Sequence, residues 1–239
     1  HGTGFVVSDE RIVTNAHVVA EAVNNPGLAI GLVPPEGGDA IYARLVAVSP
    51  RNDLALLATT TAMNLPMLTI SGNPDARSGS VSAIGFPRTV DQAQGLSASD
   101  IFRAMPPVIS TGFLSGSRPS REFDTLLHTA PIARGNSGGP LVDDCGRVLG
   151  VNSFGAEGDA AEAEFFFAVS TRELLPFLRE HGVQPQLNAL PCRSLAELEE
   201  AESDRADSER AAAATLAQQR DRGAEQLRRE LGYEISDAR

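Results

Sequence analysis

Short β-strand patterns dominate the first 170 residues of this 239-residue chain. Runs of β-branched and other apolar residues, such as 41–48 and 81–84, alternate with turn residues. A second block of such runs follows and includes 108–114 and 148–151. Strands this short cannot bury their apolar faces alone, so they predict antiparallel strands that close on one another in a barrel or sandwich. The sequence therefore favours an all-β fold built in two blocks.

Three short motifs supply the groups of a nucleophilic enzyme. Residues 135–140 read Gly-Asn-Ser-Gly-Gly-Pro, which places Ser137 before two glycines that permit a tight turn. His17 follows an Asn-Ala pair, and Asp53 precedes an apolar run. A serine hydroxyl needs a base to accept its proton, and that base needs an acceptor on its other ring nitrogen. The chain order His, Asp, Ser is one of the few in which such a triad assembles.

Together the motifs resemble those of the chymotrypsin-fold serine peptidases, and within them the bacterial Deg/HtrA-type branch. The resemblance implies a serine endopeptidase that cleaves polypeptides through an acyl-enzyme. It makes Ser137 the nucleophile, His17 the general acid and base, and Asp53 the orienting carboxylate. It also implies an oxyanion hole in the segment Gly135, Asn136 and Ser137, with the backbone N–H groups of Gly135 and Ser137 as donors. No metal and no organic cofactor is implied.

The same resemblance, which extends from about residue 2 to about residue 172, implies the architecture. We expect two six-stranded antiparallel β-barrels of chymotrypsin type, with the first strand missing because the chain begins at the second. The implied parts are barrel one (about 1–86), a linker (87–100), barrel two (about 101–170), a closing helix (171–181) that completes a protease domain over 1–182, and a linker with a charged helical tail (183–239). Fewer than seventy residues follow Ser170, and their pattern is not that of a PDZ domain.

The specificity pocket implied by the resemblance lies between the segment before Ser137 and two strands of the second barrel. Its predicted residues are Pro131, Ile132, Asn152, Ser153 and Phe166. Trypsin-like enzymes carry a carboxylate at the position of Pro131 to bind Lys or Arg, so its absence here predicts a small or aliphatic preference. Glu162 and Glu164 lie in a loop that could reach the pocket, which leaves a basic preference open.

The two cysteines and the net charge limit which kinds of site, location and partner fit this chain. Cys145 and Cys192 are too few for an ordinary metal site and form either one disulfide or two unrelated buried thiols. A disulfide favours a secreted or periplasmic location, which nothing else in the sequence specifies. A net charge of -11 argues against binding to nucleic acid. No apolar run is long enough to span a membrane.

The last 45 residues are rich in Ala, Glu, Arg and Gln and predict a helix. An intermittent stripe along one face consists of Leu216, Arg220, Gly223, Leu227 and Leu231, and the helix has acidic residues early and arginines late. This pattern fits a solvated helix, or one that self-associates or docks on a partner. Besides an endopeptidase, which could also hydrolyse small esters, the chain could be a catalytically silent relative that uses the fold and the tail as a binding scaffold.

Overall fold

The computed structural model describes residues 1–35, 40–73, 79–88, 95, 106–119, 123–155, 165–193 and 195–237. The chain divides into two compact units, His1–Cys192 and Arg193–Arg239. Most of the predicted linker 87–100 lies outside the described residues, as do Glu162 and Glu164.

The first sheet of the larger unit is antiparallel and has the strand order β1-β2-β5-β4-β3. Its strands are β1 (Phe5–Ser8), β2 (Arg11–Thr14), β3 (Ile30–Leu32), β4 (Ile41–Ser49) and β5 (Leu54–Thr59). Strand β5 lies between β2 and β4 and is buried along its whole length. Burial on both faces explains why its sequence is continuously apolar rather than alternating. A 3-10 turn (His17–Val19) and helix α1 (Ala20–Asn24) follow β2.

The second sheet contains a closed barrel. Its strands are β6 (Ile70–Ser71), β7 (Gly79–Gly85), β8 (Val108–Pro119), β9 (Asp124–His128), β10 (Pro140–Asp143), β11 (Val148–Gly155), β12 (Phe166–Ser170) and β13 (Leu187–Asn188). Because β10 pairs with both β7 and β11, the antiparallel ladder β10-β7-β8-β9-β12-β11 closes on itself. This confirms the predicted all-β class and a six-stranded antiparallel barrel.

Two predicted divisions of the chain need correction. The strand predicted at 81–84 was assigned to barrel one, but as β7 it pairs with β8 and β10 in the second barrel. Sequence proximity to the first strands gave the wrong assignment, because the pairing partners of β7 lie further along the chain. The first sheet holds five described strands, with β1 and β3 at its edges, which is the number predicted for a six-stranded barrel without its first strand.

The larger unit continues beyond helix α2 (Thr171–Glu180), whose first turn is capped by the hydroxyl of Ser170. The predicted domain end at residue 182 is too early, because Val183 is buried and β13 pairs with β6. The predicted disulfide is confirmed: Cys145 and Cys192 are bonded, with their Cα atoms 5.8 Å apart. Closing a loop of this size stabilises the fold by about 4 kcal/mol through restriction of the unfolded chain.

The smaller unit is one long helix, α3 (Leu195–Asp237), which confirms that the tail is helical. No helix among the described residues combines the length and the apolar character that crossing a membrane requires.

Candidate active site

Strand pairing in the first sheet brings His17 and Asp53 together. Thr14 at the end of β2 lies opposite Ala55 near the start of β5, so the residues after β2 and before β5 are neighbours. The backbone N–H of Ala16 donates to the carbonyl of Asp53 at 3.2 Å. His17 Nδ1 lies 2.9 Å from Asp53 Oδ2 and 3.0 Å from Oδ1. The imidazole is therefore held by its Nδ1 side, with Nε2 on the opposite edge of the ring.

Several donors converge on Asp53. Its Oδ1 accepts the backbone N–H of His17 at 3.0 Å, and its Oδ2 accepts the hydroxyl of Ser153 at 2.5 Å. The Asp53 backbone has a φ of 53°, a left-handed conformation that is unfavourable for a residue other than glycine. The side chain of Asn15 donates to the Asp53 carbonyl at 2.9 Å and stabilises this conformation. The surrounding hydrogen bonds thus fix both the position and the direction of the carboxylate.

Opposing effects act on the pKa of Asp53. Burial alone raises it, but the hydrogen bonds from His17 and Ser153 outweigh burial and hold the pKa below its ordinary value. The carboxylate is therefore ionised at neutral pH. An ionised acceptor at Nδ1 selects the tautomer in which Nδ1 carries the proton and Nε2 is free to accept one.

Ser137 lies in the loop between β9 and β10. Its hydroxyl donates to the backbone carbonyl of Ser153 at 2.9 Å, rather than to His17, among the described residues. Ser153 thus contacts both sides of the site, through its hydroxyl to Asp53 and through its carbonyl to Ser137.

The loop that carries Ser137 is packed against the first sheet. Gly138 has a φ of 87°, and a Cβ there would collide with the hydroxyl of Thr14 and the carbonyl of Thr3. The Thr3 N–H donates to the Ser137 carbonyl at 2.8 Å, and the Thr3 hydroxyl donates to the Gly135 carbonyl at 2.7 Å. Only glycine fits at position 138, because the loop approaches the first sheet at backbone distance.

Residues 133–136 form a β-turn that orients backbone donors beside Ser137. Asn136 N–H donates to the Ala133 carbonyl at 3.0 Å, and Gly135 has a φ of 110°, as at the third position of a type II turn. The Arg134 carbonyl accepts the N–H of Arg88 at 2.8 Å, and a planar trans peptide then directs the Gly135 N–H the opposite way.

The turn separates the three predicted oxyanion-hole residues. The N–H groups of Gly135 and Ser137 have no acceptor in the described part of the chain. The N–H of Asn136 is bonded within the turn, so the groups left free in this segment are the N–H groups of Gly135 and Ser137.

The predicted pocket residues do not form one lining. Pro131 is exposed and Ile132 packs on the core of the second barrel. Asn152 is fully buried, and its amide donates to the Pro140 carbonyl at 3.0 Å, so it supports the nucleophile loop and cannot line a pocket. Phe166 is also buried, with its ring centroid 6.0 Å from that of His128.

Three residues that the sequence analysis did not place around the triad emerge from the structure. Thr3, just before β1, binds the loop that carries Ser137, and the hydroxyl of Thr14 donates to the carbonyl of Thr3. Ser153, predicted for the pocket, binds Asp53. These contacts join residues up to 132 positions apart, so no local pattern identifies them. A polar residue facing inward at the end of a buried strand is the one available signal, and Thr14 and Ser153 fit it.

His128 is a buried histidine of the second barrel that the triad does not include. It is fully buried, and among the described residues its ring has no hydrogen bond of ordinary geometry, only a weak one with the Ala130 backbone. It lies opposite Phe166 in the β9–β12 register, inside the second barrel. Burial lowers the pKa of His128 to about 4 from 6.5, because the charged imidazolium would lose its hydration. The side chain is therefore neutral in the folded protein at neutral pH.

We expect stability to fall as pH drops from 6.5 toward 4. In this range the unfolded chain protonates His128 and the folded chain does not, so protons favour unfolding. The free energy of unfolding should drop by about 2 kcal/mol between pH 7.5 and pH 5 from this residue. Urea unfolding of wild type, His128→Leu and His128→Gln at both pH values measures it. Both variants should lose this part of the pH dependence, whatever their stability at pH 7.5; an unchanged dependence would contradict the assignment.

Comparison with known proteins identifies the family. A family model described as a trypsin-like peptidase domain matches residues 2–151. Serine protease Rv3671c of Mycobacterium tuberculosis is 35% identical over 173 residues, which cover 69% of this chain and 38% of that protein. Serine protease HTRA3 of Homo sapiens is 31% identical over 189 residues, which cover 75% of this chain and 37% of that protein. The chain thus spans less than two fifths of the length of these curated relatives.

Solved structures of proteases are similar to this chain as well. The active form of the Rv3671c protease from M. tuberculosis aligns with a TM-score of 0.58 and 25% identity, over 81% of this chain and 78% of that one. The serine endoprotease from Yersinia pestis aligns with a TM-score of 0.58 and 26% identity, over 75% of this chain and 57% of that one. The resemblance predicted from the motifs is confirmed, and the chain belongs to the trypsin-like peptidase family, with HtrA-type serine proteases among its relatives.

Proposed function

We propose that this chain is a serine endopeptidase in which Ser137, His17 and Asp53 act as nucleophile, general base and orienting carboxylate. The observation that carries the proposal is the contact between His17 Nδ1 and the ionised Asp53, at 2.9 Å. It leaves Nε2 as a proton acceptor. Ser153 links the pair to Ser137, because its hydroxyl donates to Asp53 and its carbonyl accepts the Ser137 hydroxyl. Peptide hydrolysis by wild type and by Ser137→Ala tests the proposal.

The proposed acylation begins with rotation of the Ser137 hydroxyl from the Ser153 carbonyl toward His17. Nε2 takes the hydroxyl proton while Oγ attacks the peptide carbonyl carbon, which gives a tetrahedral oxyanion and an imidazolium. The free N–H groups of Gly135 and Ser137 are the proposed oxyanion donors, each contributing about 3 kcal/mol to the transition state. Asp53 stabilises the imidazolium through Nδ1.

Collapse of the oxyanion breaks the C–N bond. The imidazolium of His17 gives its proton to the leaving amine, and an ester of Ser137 remains. In deacylation, His17 takes a proton from water, the resulting hydroxide attacks the ester carbonyl, and the proton returns to Ser137 Oγ. The carboxylate product leaves and the starting state is restored, with no net change in the protein.

Substrate preference is proposed to be small or aliphatic before the scissile bond. No carboxylate stands at exposed Pro131, and burying a Lys or Arg side chain without a partner charge is costly. Beside His17 lies a cleft of about 310 Å³ with mainly small and apolar lining groups, which does not include Ser137 or the predicted pocket residues. Its lining residues are Ala16, His17, Ala20, Val23, Asn24, Val48, Pro50 and Asp53.

Cleavage profiling with a peptide library tests this preference. We expect kcat/KM to be at least about 10-fold higher for Ala, Val or Leu before the cut than for Arg or Lys. Pro131→Asp should raise cleavage after Arg and Lys, whereas Pro131→Asn, of similar size but uncharged, should not. A wild-type profile dominated by Arg or Lys would refute the aliphatic preference.

Helix α3 is proposed to lie outside this chemistry and to serve in association. Its described leucines are largely exposed, although leucine is usually buried. The proposed substrates are polypeptides, consistent with the peptidase family.

A further inference from the structure

The exposed leucines of helix α3 share one face. Leu198, Leu216, Leu227 and Leu231 are between 49% and 61% exposed. At about 100° per residue these four side chains fall within a stripe about 60° wide along the helix. Leucines that recur on one face of a largely exposed helix, here with Glu209 and Arg220 between them, are the pattern of a helix that packs against another helix.

The distribution of charge along α3 indicates which helix is its partner. Residues 197–209 hold seven Asp or Glu and one Arg, whereas residues 220–229 hold four Arg and two acids. Two copies packed antiparallel place the acidic segment of each against the arginine-rich segment of the other. Two parallel copies in register would instead juxtapose like charges over both segments, which is unfavourable.

We infer that α3 forms an antiparallel pair with α3 of a second copy of this chain. The register that aligns Leu198 with Leu231 of the other copy also aligns Ala213 with Leu216 at the centre. The small alanine there lets the two helices approach closely. Helix α3 is about 64 Å long, so this register joins the copies over most of its length.

The same register pairs opposite charges. Glu209 lies opposite Arg220, both on the leucine stripe, and Glu199 lies beside Arg228 on its flank. The twofold symmetry of the pair repeats each contact. Arg220 and Arg228 form no ion pair within the described part of the chain, so both are available to a second copy, whereas Glu209 also pairs with Arg205 of its own helix at 3.0 Å.

Sedimentation velocity of the full chain, carrying Ser137→Ala to prevent self-digestion, measures the association independently of peptidase activity. We expect a reversible dimer that weakens as salt is raised, because the contacts between exposed charges are screened. A chain that stays monomeric at 100 µM, or a dimer insensitive to salt and to the charge reversals below, would overturn the inference.

Charge reversal tests the partner segments. Glu199→Arg with Glu209→Arg should raise the dimer dissociation constant at least about 30-fold, and Arg220→Glu with Arg228→Glu should do the same. Mixing the two double variants should restore dimers. The chain with all four changes keeps the net charge of the wild type and should dimerise again. Loss of association in that charge-matched chain, with helicity by circular dichroism unchanged, would refute the pairing.

Cross-linking of introduced cysteines tests whether the two α3 helices are antiparallel. The native cysteines are bonded to each other, so introduced thiols are the only free ones. A Leu198→Cys chain mixed with a Leu231→Cys chain should form a disulfide-linked dimer under mild oxidation. Leu198→Cys mixed with Ala214→Cys is the distance control and should not cross-link. Cross-linking of Leu198→Cys with itself would show a parallel pair and overturn the proposed direction.

Discussion

Ser137→Ala should lower kcat for a peptide substrate by up to about 10⁶-fold while KM changes only a few-fold. The substitution removes the atom that forms the acyl-enzyme but leaves the surrounding contacts that bind substrate. Activity above the uncatalysed rate should remain at about 10³-fold, because the proposed oxyanion donors and the binding surface persist. Steady-state kinetics with a fluorogenic peptide measures the loss, after the variant is shown to unfold at the wild-type temperature.

A fluorophosphonate probe gives an independent readout of the same serine. Wild type should be labelled at Ser137, and Ser137→Ala should not be labelled. Ser117→Ala is the matched control, because Ser117 is an exposed serine on β8 whose hydroxyl donates to Asp124. It should retain wild-type turnover and labelling. A wild-type chain that neither turns over peptides nor reacts with the probe would favour the silent scaffold instead.

The sequence was sufficient for the fold class because strand patterns are local. Burial of β5 along its whole length follows directly from its continuous apolar run at Leu54–Thr59. Strand β9 (Asp124–His128) was not predicted, since five residues without clear alternation carry too weak a signal. Assigning β7 (Gly79–Gly85) to a barrel requires knowing its partners, and pairing between distant strands is not encoded within either one.

The candidate site shows the same division between local and long-range information. Motifs identified Ser137 and His17, because each of these residues lies within its own short stretch of characteristic neighbours in the chain. The role of Ser153 depends on a contact with Asp53 across 100 positions, which no motif records. The bond that occupies the Asn136 N–H belongs to the turn at 133–136 and is visible only in three dimensions. The catalytic roles themselves stay predictions that kinetics must test.

Asp53→Asn should lower kcat by about 10⁴-fold with little change in the overall fold. The carboxylate accepts three donors, namely the His17 N–H, the Nδ1–H of the same residue and the Ser153 hydroxyl. An amide of nearly the same size has one acceptor oxygen and two N–H donors, so it cannot accept all three. An amide N–H facing Nδ1 favours the tautomer with the proton on Nε2, and that nitrogen can no longer take the proton of Ser137.

The measurement separates this effect from a simple loss of stability. The pKa of Asp53 lies below 3.8, so the stability that its ionised form contributes is present above that pH and is lost only as pH falls further. Kinetics at pH 7 to 8 therefore compare fully ionised wild type with the amide. Asp9→Asn, at an exposed turn between β1 and β2, is the matched control and should keep kcat within about twofold. If Asp53→Asn retained more than a tenth of wild-type kcat, the carboxylate could not be what selects the reactive tautomer of His17, and the proposed mechanism would need another orienting group.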